Sequence, residues 1–346
     1  MSGGGLEEIV IAEVDGHTHP PQRRHHSPIG PPPDDHLPRN RPQRSRPWVV
    51  PAAIAAIICL SALAAGVLLF RPGGDRSAPG PGEPPPVPQD VVRIPGGAFP
   101  MGCNAALDPR CEADEDPAHM VYLDPFEIHR REVTVREYGL CVAGGACKKD
   151  HFKSVASGNT FCNFSVDLHE EHPMNCVDWI GADAYCRWMG MRLPTEAEWE
   201  MAARGPDGRS YPWGDRGFEA TGRVANIADL SLQRDQPDVS VIAGYDDGFH
   251  MTAPVGSFPD GASPFGALDM AGNVWEWVSD RYDAGYYENS PERSPAGPET
   301  EHERVVRGGA WADGPSEART TARGSARPEA KTGILGFRCA ATSPSP

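Results

Sequence analysis

Apolar positions fall into three regimes along this chain. Residues 1–47 mix Pro, His and Arg with no apolar period, Trp48–Phe70 is an unbroken apolar run, and only beyond Val91 do apolar residues recur at strand and helix spacing. The first segment predicts a disordered tail, since it has too little apolar surface to offset the entropy of ordering it. The run WVVPAAIAAIICLSALAAGVLLF holds 23 residues without a charge. At ~1.5 Å per residue it reaches about 34 Å, enough to cross a hydrocarbon core of ~30 Å. It is too long and too far from the N-terminus for a signal peptide, so residues 48–70 predict a single transmembrane helix. Pro51 falls in the first turn, where a missing N–H costs little. Residues 71–90 form a Pro/Gly-rich linker, with seven Pro and four Gly between Pro72 and Asp90, which predicts a semi-extended spacer.

From Val91 onward the periods become informative. VVRIPGGAFPMG reads as a strand, a Gly-rich turn and a second strand, and Tyr122–Ile128 as a further extended piece interrupted by Pro125. Thr134-Val135-Arg136-Glu137 is a capping box that opens a helix with Tyr138, Cys141 and Val142 on one face and Gly144 as its stop. A second helix follows Asp178, with Trp179, Ala182, Cys186 and Met189 on one side, and a third opens at the capping box Thr195–Glu198 and runs through Ala203. Beyond Gly205, Gly, Pro and Asp are frequent and regular periods are few. The tryptophans of the AEWE and WEW blocks read as core residues. Together these features predict a loop-rich α+β domain over residues 91–342.

Charge and cysteine usage add a location. Arg39, Arg41, Arg44 and Arg46 precede the apolar run, whereas Arg71 and Arg76 follow it. The positive-inside bias therefore places the N-terminal tail in the cytoplasm and the C-terminal domain outside, in the periplasm or at the cell exterior. Residues 1–47 carry six Arg and six Asp or Glu, so the formal net charge of −16 belongs to the remainder of the chain. An acidic external domain repels phosphate, which argues against a nucleic-acid partner. Cys59 lies in the apolar run; the other eight cysteines form an even set in a compartment where disulfides persist. Cys103 and Cys111, and likewise Cys141 and Cys147, are close enough to close short loops, and neither pair has CxxC spacing. His169-Glu170-Glu171-His172 lacks the HExxH spacing of a zinc site.

Four ordered blocks carry a family resemblance. They are Asn175–Glu200 (NCVDWIGADAYCRWMGMRLPTEAEWE), Tyr211–Gly214 (YPWG), Gly266–Asp280 (GALDMAGNVWEWVSD), and Arg304–Ala340, which contains RGGAW and GFRC. Over roughly Val91 to Thr342 the chain resembles the formylglycine-generating, or sulfatase-modifying factor, family. The resemblance implies a C-type-lectin-like fold low in regular structure. It also implies a Cys186–Cys339 disulfide, which leaves Cys162 and Cys176 as a fourth pair.

The family's oxygen-dependent members bind copper through two cysteines shortly after their RGGS segment. Here Trp311–Arg319 contains no cysteine, and Ala310 stands at the family's active-site serine. Cu(I) is soft and prefers thiolate, so Asp313 and Glu317 are poor substitutes and copper is not expected. The family's iron-using relatives draw three histidines from an extra helical domain that this sequence lacks. No catalytic residue is assigned on these grounds.

Calcium is the cofactor that the resemblance does imply, at two structural sites. The first would use the Asn226 side chain and Ile227 carbonyl with the Asp247 side chain and Phe249 carbonyl. The second would use Asp269, the Gly272 and Val274 carbonyls, and Glu276. Hard oxygen donors in Asn-, Asp- and Gly-rich loops suit Ca²⁺. The expectation is a membrane-tethered, calcium-stabilised binding or accessory module with a protein or peptide ligand. The alternative is an oxidoreductase of the formylglycine-generating or nonheme-iron-like type acting on a protein or peptide.

Overall fold

Strands β1 (Val91–Ile94) and β2 (Gly97–Met101) form where the VVRIPGGAFPMG pattern places them. Alternation turns Val92, Ile94, Phe99 and Met101 into the core. The computed structural model describes residues 90–106, 108–154 and 161–343. The expected cytoplasmic tail and the apolar run Trp48–Phe70 therefore lie outside the described residues, as does the spacer apart from Asp90. Among the described residues no helix is long and apolar enough to cross a membrane.

The extended piece expected over Tyr122–Ile128 is two strands, β3 (His119–Leu123) and β4 (Phe126–His129). Pro125 lies between them and offers no N–H to a ladder, so the chain breaks there and each half takes different partners. β3 pairs antiparallel with β2, while β4 lies between β1 and the C-terminal β9 (Ala340–Thr342).

All three helices signalled by caps are present. α1 (Val135–Ala143) carries the reciprocal Thr134–Glu137 box and ends at Gly144. α2 (Trp179–Trp188) starts where the Asp178 carboxylate accepts from the Gly181 N–H, and Met189 is its C-cap. α3 (Glu196–Arg204) opens with the Thr195–Glu198 box, and every one of its residues is buried. Trp199 and Trp277 are fully buried, as expected of core residues, whereas Trp275 is only partly so.

The second half of the domain departs from expectation. Where few periods are visible, the structure holds a sheet in the order β7 (Arg323–Ala326), β6 (Arg304–Arg307), β5 (Trp275–Arg281), β8 (Leu335–Phe337). Two short helices, α4 (Phe218–Thr221) and α5 (Leu230–Asp235), precede it. β8 joins β5 in parallel and the other pairings are antiparallel. β6 and β8 escaped the sequence reading because they are short and buried on both faces, which erases the alternating signature.

Four disulfides staple the domain: Cys103–Cys111, Cys141–Cys147, Cys162–Cys176 and Cys186–Cys339. Buried ion pairs supply a second framework. Arg338 meets Glu276 at 2.6 Å, Arg319 meets Glu115 at 2.6 Å, and Arg323 meets Glu196 at 2.8 Å.

One buried acid in this framework lacks a cation. Asp280, at the end of β5, accepts hydrogen bonds from the Glu196 N–H and the Ser279 hydroxyl, each at 2.9 Å. Burial, with the Glu196 charge behind it, pushes its carboxyl up to about 7. The unfolded chain releases this proton near pH 3.9, while the fold retains it to about 7. This group therefore costs stability progressively as pH rises from about 4 to about 7, after which the cost is constant. Asp280→Asn keeps an acceptor oxygen and removes the titration. Relative to the unaltered protein it is expected to gain on the order of 2 kcal/mol between pH 5 and pH 8. Urea unfolding at both pH values checks this; an equal difference at the two would remove the assignment.

Candidate functional site

Two loops and one C-terminal segment meet at the end of the four-stranded sheet where β5 begins and β6 finishes. The first loop pair brings Asn226 and Ile227 against Asp247 and Phe249. The Asp247 carboxylate accepts from the Ile227 N–H at 3.1 Å and from the Phe249 N–H at 2.8 Å. Asn226 donates from its amide nitrogen to the Met251 carbonyl at 2.8 Å and to the Asn273 side-chain oxygen at 3.1 Å. Its own Oδ1 is buried with no hydrogen-bond partner. Asp229, which the sequence reading did not single out, is buried beside them. It caps α5 through the Ser231 and Leu232 N–H groups and accepts from the Asp247 N–H. Burial raises the Asp247 carboxyl to about 8, and the Asp229 charge contributes in the same direction. A buried carboxylate without a counter-cation next to an orphaned amide oxygen is a donor set that fits a hard divalent cation.

The second loop runs from Asp269 to Glu276. Asp269, Gly272 and Asn273 all have left-handed backbone, with φ of 54°, 75° and 63°. Gly272 is obligatory, because a Cβ there would lie 2.1 Å from the Asn226 carbonyl oxygen. That close approach couples the two loops, and the Asn273 N–H donates to the same carbonyl at 2.7 Å. Asp269 accepts from the Gly256 N–H. Glu276 is engaged elsewhere: its oxygens accept from Arg338 Nε and Nη2 at 2.6 Å each, and from Trp199 Nε1 at 2.8 Å.

Besides Asp229, two further members of this constellation carried no sequence-level flag. Asn273 sits inside the GNVWEW block, so its position was visible but its role was not. It joins the loops by donating to Glu132 Oε1 at 2.9 Å and accepting from the Ala253 N–H at 2.9 Å. Glu132 lies 141 residues away in sequence and had no local signal at all.

The segment Trp311–Arg319 packs against both loops. Trp311 donates its N–H to the Asn273 carbonyl at 3.0 Å, and Ala228 donates to the Asp313 carbonyl at 2.8 Å. Asp313 Oδ2 accepts from Trp275 Nε1 at 2.7 Å and from the Ala310 N–H at 2.9 Å. Burial, aided by the Glu317 charge, pushes its carboxyl up to about 6. Glu317 accepts from the Gly314 N–H at 3.2 Å. Gly309 is again needed, since a Cβ would meet the Glu317 carbonyl oxygen at 2.9 Å. Arg319 closes the segment with two 2.6 Å bonds to Glu115, whose Oε2 lies 3.1 Å from Cys103 Sγ. All eight cysteines between Cys103 and Cys339 are paired in the four disulfides. His169 and His172 stack on one another at 4.1 Å and bond to Asn163 and Thr252 respectively.

Residues 79–343 match the Sulfatase-modifying factor enzyme 1-like domain. The chain belongs to this family. A sulfatase-modifying-factor relative from Streptomyces coelicolor, named formylglycine-generating enzyme, is 36% identical over 301 residues, covering 76% of this chain and 92% of its own. A relative from Bos taurus, named inactive C-alpha-formylglycine-generating enzyme 2, is 37% identical over 294 residues, covering 72% of this chain and 87% of its own. Among solved structures of this fold, PvdO from Pseudomonas aeruginosa is 28% identical with a TM-score of 0.56, covering 72% of this chain and 93% of that one. Relatives of this chain thus include proteins named as enzymes and proteins named as inactive.

Proposed function

We propose that this protein is a membrane-anchored, extracytoplasmic binding or accessory module of the sulfatase-modifying-factor family, stabilised by calcium and lacking copper-dependent cysteine oxidation. The observation that carries this reading is the Trp311–Arg319 segment. It offers Asp313 and Glu317 and no sulfur, and the surrounding cysteines are committed to disulfides. Hard carboxylates do not replace a thiolate pair for Cu(I). The Asp313 carboxylate is moreover engaged by Trp275 and Ala310. Its segment is nonetheless held firmly, as suits a surface that binds a protein or peptide. The name of the inactive Bos taurus relative is consistent with such a role. A scaffold that outlives its chemistry follows from function residing in a site rather than in a fold.

The deciding experiment is mass spectrometry of a sulfatase-type cysteine peptide incubated with the purified full-length chain, copper and oxygen. No conversion of thiol to aldehyde is expected. Multiple turnovers would return the protein to the oxidoreductase reading.

Calcium in this reading is structural, held at the first loop pair by Asn226, Asp247 and the Ile227 and Phe249 carbonyls. Metal that binds the native state alone stabilises it by mass action. Saturating calcium is expected to raise the melting temperature of the full-length chain by several degrees, and a chelator to reverse it. An unchanged melting temperature would dismiss the calcium role. The anchor at residues 48–70 places the N-terminus in the cytoplasm. Protection of the domain from an externally added protease in sealed inside-out vesicles, with the tail cleaved, is the expected result.

A further inference from the structure

We infer that the Cys103–Cys111 disulfide is a thiol-exchange site, opened by an external dithiol that attacks Cys111, and that opening it loosens the Trp311–Arg319 segment through Glu115. The exchange chemistry stands apart from the calcium reading. Only its consequence for a bound protein or peptide rests on the binding role proposed for that segment.

Access and chain geometry single out this bridge. The six cysteines of the other three disulfides are at most 3% exposed. Cys103 is 9% exposed, and Cys111 alone of the eight is partly open to solvent. A thiolate must reach a disulfide sulfur to attack it, so Cys111 is the sulfur on offer. The bridge closes a separation of only 8 residues. A short closed loop adds little to stability, so the bond can open with the domain still folded. Glu112, Asp114 and Asp116 follow Cys111 closely in the chain, which favours an uncharged or cationic dithiol over an anionic thiol.

The reaction is a balanced exchange. A thiolate of the dithiol forms a bond to Cys111 Sγ, and the Cys103–Cys111 bond breaks. The electron pair leaves on Cys103 Sγ, which takes a proton from water. The second thiolate of the dithiol then attacks the dithiol sulfur in the mixed disulfide and expels Cys111 Sγ, which is protonated in turn. The dithiol is oxidised to its disulfide, and the protein bridge gains two electrons and two protons.

The coupling runs through Glu115. Its Oε2 lies 3.1 Å from Cys103 Sγ and accepts from Arg319 Nη1 at 2.6 Å. In the disulfide that sulfur has no hydrogen. Once reduced it gains one and can donate it to Oε2, so the oxygen that holds Arg319 is shared. The backbone of Glu115 is also less constrained. Its carbonyl accepts from the Cys103 N–H at 2.9 Å, and its N–H donates to the Glu112 carbonyl at 3.1 Å. With the loop no longer closed covalently, these contacts must hold Glu115 without the staple. Asp114 limits the change to a local one: its carbonyl accepts from Arg323 at 2.7 Å and its carboxylate from the Tyr282 hydroxyl at 2.8 Å. The result is a looser grip on Arg319, and hence on the segment that Arg319 closes.

The test starts from the oxidised full-length chain in graded dithiothreitol at neutral pH, quenched with iodoacetamide and mapped by peptide mass spectrometry. Cys103 and Cys111 are expected to be alkylated first, with the other six cysteines still paired. Limiting β-mercaptoethanol is expected to be trapped on Cys111 and not on Cys103. Amide exchange over residues 311–319 is expected to quicken at least about fivefold in the reduced protein, with α1 and α2 unchanged. Cys103→Ser/Cys111→Ser should show the quickened exchange without dithiothreitol and no further response to it. If that pair of substitutions impairs folding, Cys111→Ser alone supplies the open bridge with the Cys103 thiol in place. In Arg319→Met the route is already cut, so dithiothreitol should add nothing at residues 311–319.

Opening of another bridge first, or a mixed disulfide on Cys103, would overturn the exchange site. Alkylation of Cys103 and Cys111 with unchanged exchange over residues 311–319, or an undiminished acceleration in Arg319→Met, would overturn the coupling through Glu115. Neither result touches the copper and peptide assay, so failure here and failure of the binding reading are distinguishable.

Discussion

Replacing Arg319 by methionine is expected to destabilise the domain by about 3–5 kcal/mol, the range seen when one partner of a buried ion pair is removed. Arg319 and Glu115 are 2% and 1% exposed at their side chains, and two bonds of 2.6 Å join them. Without the guanidinium, Glu115 remains buried with no other cation in contact, and Thr321 loses a donor at 3.0 Å. The effect also reaches the candidate site, because Arg319 closes the Trp311–Arg319 segment against the Cys103–Cys111 staple. Urea unfolding measures the loss, and amide exchange over residues 311–319 should quicken with it. The double variant Glu115→Gln/Arg319→Met should recover part of the stability, since it leaves no buried charge behind. A single-variant loss below about 1 kcal/mol would show that the pair is not what holds this segment.

Removing the Cys186–Cys339 disulfide is expected to be the most damaging of the four disulfide losses. It spans 153 residues, whereas Cys103–Cys111 spans 8. Chain entropy alone assigns about 5 kcal/mol to the long loop and about 2.5 kcal/mol to the short one. Both sulfurs of the long bridge are fully buried, so alanine at these positions adds a packing defect to the entropy term. The bridge also has an architectural role. It fixes α2 to the two-residue link between β8 and β9, and the Cys339 carbonyl accepts from the His129 N–H of β4 at 2.8 Å. The paired alanine variants Cys186→Ala/Cys339→Ala and Cys103→Ala/Cys111→Ala, unfolded side by side, decide the matter. Equal losses would mean that the long-loop entropy is already absent from the unfolded chain.

How far the sequence carried the description depended on whether each signal was local. Caps are local, and all three capped helices formed where Thr134, Asp178 and Thr195 placed them. Strands β1 and β2 were legible because their apolar residues alternate. The Cys186–Cys339 bridge and the family were legible because AYC, GFRC and the blocks between them are sequence patterns. In the sheet built from β5 to β8, strands β6 and β8 were not legible, since they are short and buried on both faces. Pro125 was seen, but its effect of dividing one extended piece between two sheets required knowledge of the partners.

The sequence by itself determined the family, the cysteine inventory, the helix starts, and the absence of sulfur from Trp311–Arg319. Each of these is a property of residue identity over a short stretch. The tertiary structure decided which charges neutralise which. Glu276 follows Gly272 and Val274 in a local block, and only the fold brings Arg338, 62 residues on, to both its oxygens. Glu132 looks like an unremarkable acid ahead of a helix until burial brings it to Asp269 and Asn273. The physical reason is that a carboxylate's role depends on desolvation and on its nearest opposite charge. Both are set by contacts between residues far apart in the chain, which no local pattern encodes.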